Sequence, residues 1–202
     1  MVLLMLAAVS GTGKSTIARM LLDRQPGLRL SVSHTTRKPR EGEIDGVHYH
    51  FTAPEAFKGL VADGGFAEWA EYVGHRYGTA RTTIDAARAA GHDLLFDIEV
   101  QGAGQLKGAY PQAIGVFLLP PSWDALADRL RRRGTDDDAT IERRLTRGRE
   151  ELAGAAWFDH LVINDDLERA VAEVEGIYRS ALSRTAHRMA RLAALRDEAA
   201  AR

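Results

Sequence analysis

The sequence predicts an α/β fold: a parallel β-sheet flanked by helices, with a small mixed α/β insertion and a helical lid. Three observations lead to this prediction. Strand-like and helix-like patterns alternate along the chain, as they do where helices connect parallel strands. Two apolar runs, 2–9 and 93–100, are nearly continuous, which is typical of strands buried on both faces. The segment 34–80 breaks this rhythm with short strands, so we interpret it as an insertion.

Composition limits the possible classes of protein. The chain has 202 residues, 45% of them hydrophobic, and a formal net charge of −1, which favours one soluble domain with no overall attraction to nucleic acid or anionic membranes. The apolar start, 1–9, is too short to cross a membrane and lacks the basic region of a signal peptide. There is no cysteine, which excludes disulfides and thiolate metal sites and favours a cytoplasmic location.

The elements of the main sheet follow from the apolar runs and the residues that bound them. A strand over 2–9 leads through a glycine-rich turn into a helix over 15–23, and a further strand is predicted over 28–33. The later elements are a helix over 82–90 ended by Gly91, strands over 93–100 and 113–119, a helix over 123–132 capped by Ser122, a helix over 140–152, a strand over 161–164 and a helical pattern from 167 almost to the end.

The insertion and the lid are predicted from different signals. Within 34–80 we expect a polar loop, a short strand over 47–51, a helix opened by a Thr52–Glu55 capping box, and strands over 66–73 and 76–79. The lid, about 129–154, is dense in arginine and is interrupted by a break at 134–138. The core then comprises 1–33, 81–128 and 155–202, and the whole chain is one domain.

A phosphate-binding loop is predicted between the first strand and the first helix. The pattern of glycine, four residues, then Gly-Lys-Ser/Thr is nearly matched by Ala8, Val9, Ser10, Gly11, Thr12, Gly13, Lys14 and Ser15. Small residues let backbone N–H groups converge on a phosphate at a helix N-terminus. Lys14 can then reach the β- and γ-phosphates of ATP, and the Ser15 hydroxyl can bind Mg²⁺. Ala8 replaces the usual first glycine and would be strained only if that position required a positive φ.

The phosphate loop by itself indicates a nucleotide-binding fold and leaves the reaction open, since a GTPase or an ATPase would carry the same loop. Seven further segments are more specific: 31–43 (SVSHTTRKPREGE) with 46–49 (GVHY), 66–70 (FAEWA), 77–79 (YGT), 97–102 (DIEVQG), 133–135 (RGT), 144–145 (RL) and 163–166 (INDD). In this order and spacing they resemble the guanylate kinase family over nearly the whole chain. The resemblance implies the reaction ATP + GMP to ADP + GDP, with ATP and GMP as small-molecule partners.

The resemblance also implies a GMP site. A phosphate dianion is best bound by forked cationic donors and hydroxyls, and the family pattern assigns this role to Arg37, Arg40, Tyr49 and Tyr77. Guanine presents N–H donors that a carboxylate can accept, and by resemblance this acceptor is Glu68, helped by Ser33, Thr79 and Glu99. Aspartate is more usual at the position of Glu99, and the extra methylene would move the carboxylate by about 1 Å.

The remaining site residues are assigned the same way. Arg133 and Arg144 of the lid are expected to neutralise charge on the moving phosphoryl group together with Lys14. Asp97 ends a buried strand and is expected, with Ser15, to hold Mg²⁺. Asn164 is expected to border the adenine.

Two other functions are compatible with parts of the pattern. A kinase for a different phosphorylated small molecule is disfavoured by the GMP-like arrangement of Glu68, Tyr77 and Thr79. A non-catalytic protein-binding module of the same fold is disfavoured by Lys14 and Ser15, since such modules lack a working phosphate loop. The sequence leaves open whether the chain forms a homo-oligomer.

Overall fold

The computed structural model describes residues 1–132 and 137–200. The strands, in chain order, are β1 (Leu3–Ala8), β2 (Leu28–Leu30), β3 (His34–Thr35), β4 (His50–Phe51), β5 (Phe66–Tyr72), β6 (His75–Ala80), β7 (Asp93–Asp97), β8 (Ile114–Leu119) and β9 (His160–Ile163). The helices are α1 (Lys14–Arg24), α2 (Pro54–Ala62), α3 (Arg81–Ala89), α4 (Val100–Ala109), α5 (Trp123–Arg132), α6 (Asp138–Ala153), α7 (Leu167–Leu182) and α8 (Thr185–Ala200), with a 3-10 turn at Ala155–Trp157.

The main sheet has five strands in the order β2-β7-β1-β8-β9, and every pair is parallel. The α/β fold class is therefore confirmed. Successive side chains of the opening run enter hydrophobic clusters on opposite faces of the sheet: Leu3 and Met5 belong to one cluster, Leu4 and Leu6 to the other. Burial on both faces explains why this run has no polar alternation.

The topology brings three chain segments to one edge of the main sheet. In a parallel sheet all strands end at the same edge, where ligands bind in open α/β folds. The phosphate loop follows β1, Asp97 ends β7, and Asn164 follows β9 directly. Residues far apart in sequence are thus placed in one cleft.

The second sheet has four strands in the order β4-β3-β6-β5, all of them within 34–80. Its small hydrophobic cluster contains Phe57, Phe66 and Ala80. Two strand predictions are corrected here. The strand predicted over 28–33 ends at Leu30, and the chain then crosses to the second sheet; the strand predicted over 47–51 is confined to His50–Phe51, since 46–48 form a turn.

The predicted capping box is wrong. Helix α2 has Ala53 at its N-cap position and Pro54 in its first turn, and no side chain caps it. The Thr52 hydroxyl instead donates to the His50 carbonyl oxygen and lies 2.9 Å from Nδ1 of His34. Pro54 fixes the helical φ without needing an N–H partner, so the helix can begin without a polar cap.

Helix α4 has no counterpart in the sequence prediction, which extends a strand to residue 100. The sequence does not indicate this helix, because 100–109 contains three glycines and its apolar residues are only weakly confined to one face. The helix packs beside β5, where the Gln105 side chain accepts the Trp69 N–H at 3.1 Å and donates to the Trp69 carbonyl at 2.7 Å. The long C-terminal pattern is also divided, into α7 and α8, with Ser183 and Arg184 between them.

We expect Phe57→Ala to lower the free energy of unfolding by about 3–5 kcal/mol, because the ring is fully buried and its removal leaves a cavity. Urea unfolding followed by circular dichroism measures the change. Val47→Ala, at a side chain that is 57% exposed, is the control and should change stability by less than about 0.5 kcal/mol. Equal effects of the two substitutions would contradict the assignment of Phe57 as the centre of this cluster.

Candidate active site

The phosphate loop has the backbone geometry that its sequence predicts. Gly11 and Gly13 have φ values of 97° and 102°, in the region that favours glycine, and Gly13 is the N-cap of α1. A Cβ at Gly11 would lie 2.8 Å from Leu130 Cδ2, so the close packing also requires glycine. Among the described non-glycine residues only Val73 has a positive φ, so Ala8 is unstrained.

Asn164 lies beneath this loop. Its side chain is buried, and Nδ2 donates to the Thr12 carbonyl oxygen at 2.6 Å. A Cβ at Gly13 would lie 2.8 Å from the same Nδ2, and Arg129 donates to the Asn164 carbonyl oxygen at 2.9 Å. Asn164 therefore holds the loop backbone; the adenine contact assigned to it stays a prediction.

Lys14 is surrounded by acceptors at the end of β7. Its Nζ lies 2.8 Å from Oδ1 of Asp97, 3.6 Å from Oε1 of Glu99, and donates to the Ile98 carbonyl oxygen at 3.0 Å. Burial acts to lower the pKa of Lys14, but the carboxylates of Asp97 and Glu99 outweigh it and raise the pKa above its ordinary value. Lys14 is thus held as a cation at neutral pH.

The predicted Mg²⁺ ligands are brought together. The Ser15 hydroxyl lies 3.5 Å from Oδ2 of Asp97, so one hydroxyl and one carboxylate face the same space. Within 1–132 and 137–200 no group of three or more His, Cys, Asp or Glu side chains is arranged to hold a metal. This sparse donor set fits Mg²⁺, which keeps several waters and takes further ligands from substrate phosphates.

A cavity of about 380 Å³ lies between the end of β7 and the insertion. Seven of the eight residues predicted to bind GMP line it: Ser33, Arg37, Arg40, Tyr49, Glu68, Tyr77 and Glu99. Thr79, the eighth, is fully buried behind Glu68. The cavity therefore assembles the predicted set from four separate segments of the chain, with Thr79 as a supporting residue.

The cationic side of the cavity is built around Arg37. Its guanidinium makes two bonds to the Glu43 carboxylate, at 2.9 and 2.8 Å, and lies 5.4 Å from the centre of the Tyr49 ring. Arg37 and the backbone N–H of Arg40 lower the pKa of Glu43 to about 2, so this carboxylate stays charged. Glu43 has no role assigned from the sequence, although it ends the motif segment 31–43 and lies three residues after Arg40.

Glu68 forms the opposite, buried side. Residue Glu68 is only 4% exposed, and its Oε1 accepts a hydrogen bond from the Thr79 hydroxyl at 2.6 Å. Burial raises the pKa of Glu68, and the hydrogen bonds from Thr79 partly offset that rise. A Cβ at Gly102 would lie 2.4 Å from Oε2 of Glu68, so α4 leaves room for the carboxylate only because residue 102 is glycine.

A second cavity, of about 250 Å³, lies against the phosphate loop and includes Arg144 and Glu151 of α6. Arg133, the other predicted lid arginine, lies outside the described residues. Arg147 places its guanidinium 3.9 Å from the centre of the Tyr72 ring and pairs with Glu151 at 3.2 Å. Tyr72 and Glu151 are site residues that the sequence analysis missed, because neither falls in a recognised motif segment.

Comparisons with known proteins identify the family to which the chain belongs. The family profile described as guanylate kinase matches residues 1–181. This chain belongs to the guanylate kinase family. A guanylate kinase of Neisseria gonorrhoeae is 50% identical over 169 residues, which is 84% of this chain and 82% of that protein. A guanylate kinase of Nitratidesulfovibrio vulgaris is 52% identical over 178 residues, or 88% of this chain and 86% of that protein.

The fold is also similar to a solved guanylate kinase. The crystal structure of the protein from Anaplasma phagocytophilum aligns with a TM-score of 0.73 and 30% identity, covering 91% of this chain and 87% of that one. The resemblance stated from the sequence is thus confirmed as family membership. None of the helices in the described part of the chain has the length and apolar character needed to cross a membrane.

We expect Thr79→Val to raise the pKa of Glu68 further, because the substitution removes a hydroxyl that donates to the charged carboxylate. NMR titration of the Glu68 carboxyl carbon measures the shift. Thr82→Val, at an exposed position of α3, makes the same chemical change away from the cavity and should leave the titration unchanged. An unchanged or lower pKa in Thr79→Val would show that the hydroxyl does not stabilise the charged form.

Proposed function

We propose that this chain transfers the γ-phosphoryl group of ATP to the phosphate of GMP, producing ADP and GDP. The observation that carries the proposal is the junction of the two cavities. Lys14, Ser15, Tyr72 and Glu99 line both the cavity at the phosphate loop and the larger cavity beside the insertion. A nucleoside triphosphate in the first and a monophosphate in the second would meet at Lys14, as a kinase requires.

The larger cavity suits GMP at both of its ends. A guanidinium has five N–H donors, so the bonds from Arg37 to Glu43 and to the Lys38 carbonyl leave donors for a phosphate. Arg40, Tyr49 and Tyr77 complete the phosphate end. Glu68 would accept N–H groups of guanine, while adenine would leave the carboxylate oxygen that does not bond Thr79 without a donor, which costs about 1–3 kcal/mol.

The proposed reaction is an in-line displacement. An oxygen of the GMP phosphate attacks the γ-phosphorus, the bond to the β–γ bridging oxygen breaks, and ADP leaves with that oxygen. Lys14 and Arg144 neutralise negative charge on the transferred group, and Arg133 is assigned the same role. Ser15 and Asp97 would hold Mg²⁺, which when bound would supply further neutralisation of the phosphate charge.

We also propose that the chain is divided into a core, an insertion at 34–80 and a lid at 129–154. Approach of the insertion and the lid would exclude water, which otherwise hydrolyses ATP. The lack of cysteine and the nature of the two substrates support a cytoplasmic location.

Coupled ADP production with GMP, AMP, UMP and CMP offered separately tests the proposal. We expect turnover with GMP alone, its loss on chelation of Mg²⁺, and a fall of at least about a hundredfold in Lys14→Ala, because the transferred charge loses its cation. Lys58→Ala, at an exposed position of α2, is the matched control. ADP release without a preference among the monophosphates would contradict the assignment of GMP.

We expect Gly102→Ala to raise the KM for GMP by about tenfold or more while the KM for ATP changes less than about twofold. The added methyl group would lie 2.4 Å from Oε2 of Glu68 and must displace it. Gly108→Ala on the same helix is the matched control, since outside its own turn of the helix no atom lies within 4 Å of the Cβ it would add. Steady-state kinetics with each substrate varied in turn measures both constants. Equal KM values for GMP in the two variants would disprove this role of Gly102.

A further inference from the structure

Glu151, near the C-terminal end of α6, is placed to control the phosphate loop from the lid side. Its Oε2 accepts the backbone N–H of Ser10 at 2.9 Å, although the two residues are 141 positions apart in sequence. The side chain is only 8% exposed. A carboxylate so deeply buried beside a loop that binds anions is not a surface charge, and it has a specific backbone partner.

The same carboxylate reaches the wall of the larger cavity. Its Oε1 accepts Nε–H of Arg147 at 3.2 Å, and the Arg147 guanidinium lies 3.9 Å from the centre of the Tyr72 ring. Tyr72 lines both cavities. One carboxylate therefore links three parts of the site: the phosphate loop, the lid helix and the strand that carries Tyr72.

Helix α6 packs tightly at this point, which limits how the carboxylate can be replaced. A Cβ at Gly148 would lie 2.8 Å from Cγ1 of Val9, so the helix touches the loop through a glycine one turn before Glu151. Burial raises the pKa of Glu151, the bond from the Ser10 N–H lowers it, and the carboxylate of Glu99 raises it again. Burial and the nearby Glu99 carboxylate both disfavour a charged group at this position. A carboxylate kept in such surroundings is more typical of a functional site than of core packing.

We propose that Glu151 is a positioning residue for the phosphates of ATP: it fixes the phosphate loop through Ser10 and aligns the lid helix through Arg147. This inference rests on the phosphotransferase function proposed above. A carboxylate at this position would repel a phosphate, so Glu151 acts through the groups it holds. Loss of the acceptor leaves the partly buried Ser10 N–H without its protein partner, and we expect the peptide at Ser10 to turn toward another one. Such a turn shifts the neighbouring N–H groups that would bind the β-phosphate.

Two substitutions distinguish the bond to the Ser10 N–H from the charge that pairs with Arg147. Glu151→Leu has similar volume and no acceptor, whereas Glu151→Gln keeps an acceptor for the Ser10 N–H and loses the charge that pairs with Arg147. Glu150→Gln, at the exposed neighbouring position, is the matched control. Equilibrium binding of ATP and of GMP, kcat, both KM values and urea unfolding are measured for each variant.

We expect Glu151→Leu to weaken ATP binding and lower kcat by about tenfold or more each, with GMP affinity changed less than about threefold. Glu151→Gln should fall between this variant and the wild type, and Glu150→Gln should match the wild type. Arg147→Met removes the pairing with Glu151 and the contact with the Tyr72 ring but keeps the bond from Ser10 to Glu151. It should therefore lower kcat and leave ATP affinity within about twofold.

The results that would overturn the inference are distinct from failure of the proposed function. If the wild type neither binds nor phosphorylates GMP, the function itself is wrong. If the wild type is active and Glu151→Leu binds ATP normally per folded molecule, Glu151 has no positioning role. Equal loss of ATP and GMP binding that follows the loss of folded protein would show a structural role only. If Glu151→Leu does not fold, Glu151→Gln decides: ATP affinity and kcat equal to those of Glu150→Gln overturn the inference.

Discussion

The turn between β1 and α1 is the constraint on which the rest of this site depends. A loop that binds phosphate through backbone N–H groups has no side chain to adjust, so its peptide planes must be held by their surroundings. Gly11 and Gly13 permit the conformation, and the Asn164 amide holds the Thr12 carbonyl from below. Asn164, directly after β9, and Glu151 of α6 contribute contacts to this turn, which ties distant segments to the first strand of the sheet.

Charge in the cleft is organised by pairing. Lys14 faces the carboxylates of Asp97 and Glu99, and Arg37 forms a bidentate ion pair with Glu43. Each cation is therefore oriented by a protein partner, which reduces the rotamer freedom that a substrate phosphate would otherwise have to restrict. The arrangement also separates the two ends of the larger cavity: a cationic end at Arg37 and a buried acidic end at Glu68.

The sequence predicts the parts of this structure that depend on local pattern. The phosphate loop, the buried strands and the segments near Arg37 and Glu68 are all visible as motifs or apolar runs. What it misses depends on tertiary context. Helix α4 is hidden because Gly102, which lowers helix propensity, is required by the Glu68 carboxylate packed against it. The partnership of Glu151 with Ser10 spans 141 positions and involves a backbone N–H, so no side-chain spacing can reveal it.

The side-chain amide of Gln105 affects whether the edge of β5 is open to pairing with another chain. Strand β5 is the last strand of the second sheet, and the outer edge of such a strand offers free N–H and C=O groups to any extended chain. Gln105 satisfies both backbone groups of Trp69, much as a neighbouring strand would, and α4 packs beside β5. A helix side chain thus occupies part of an edge at which another extended chain could otherwise pair.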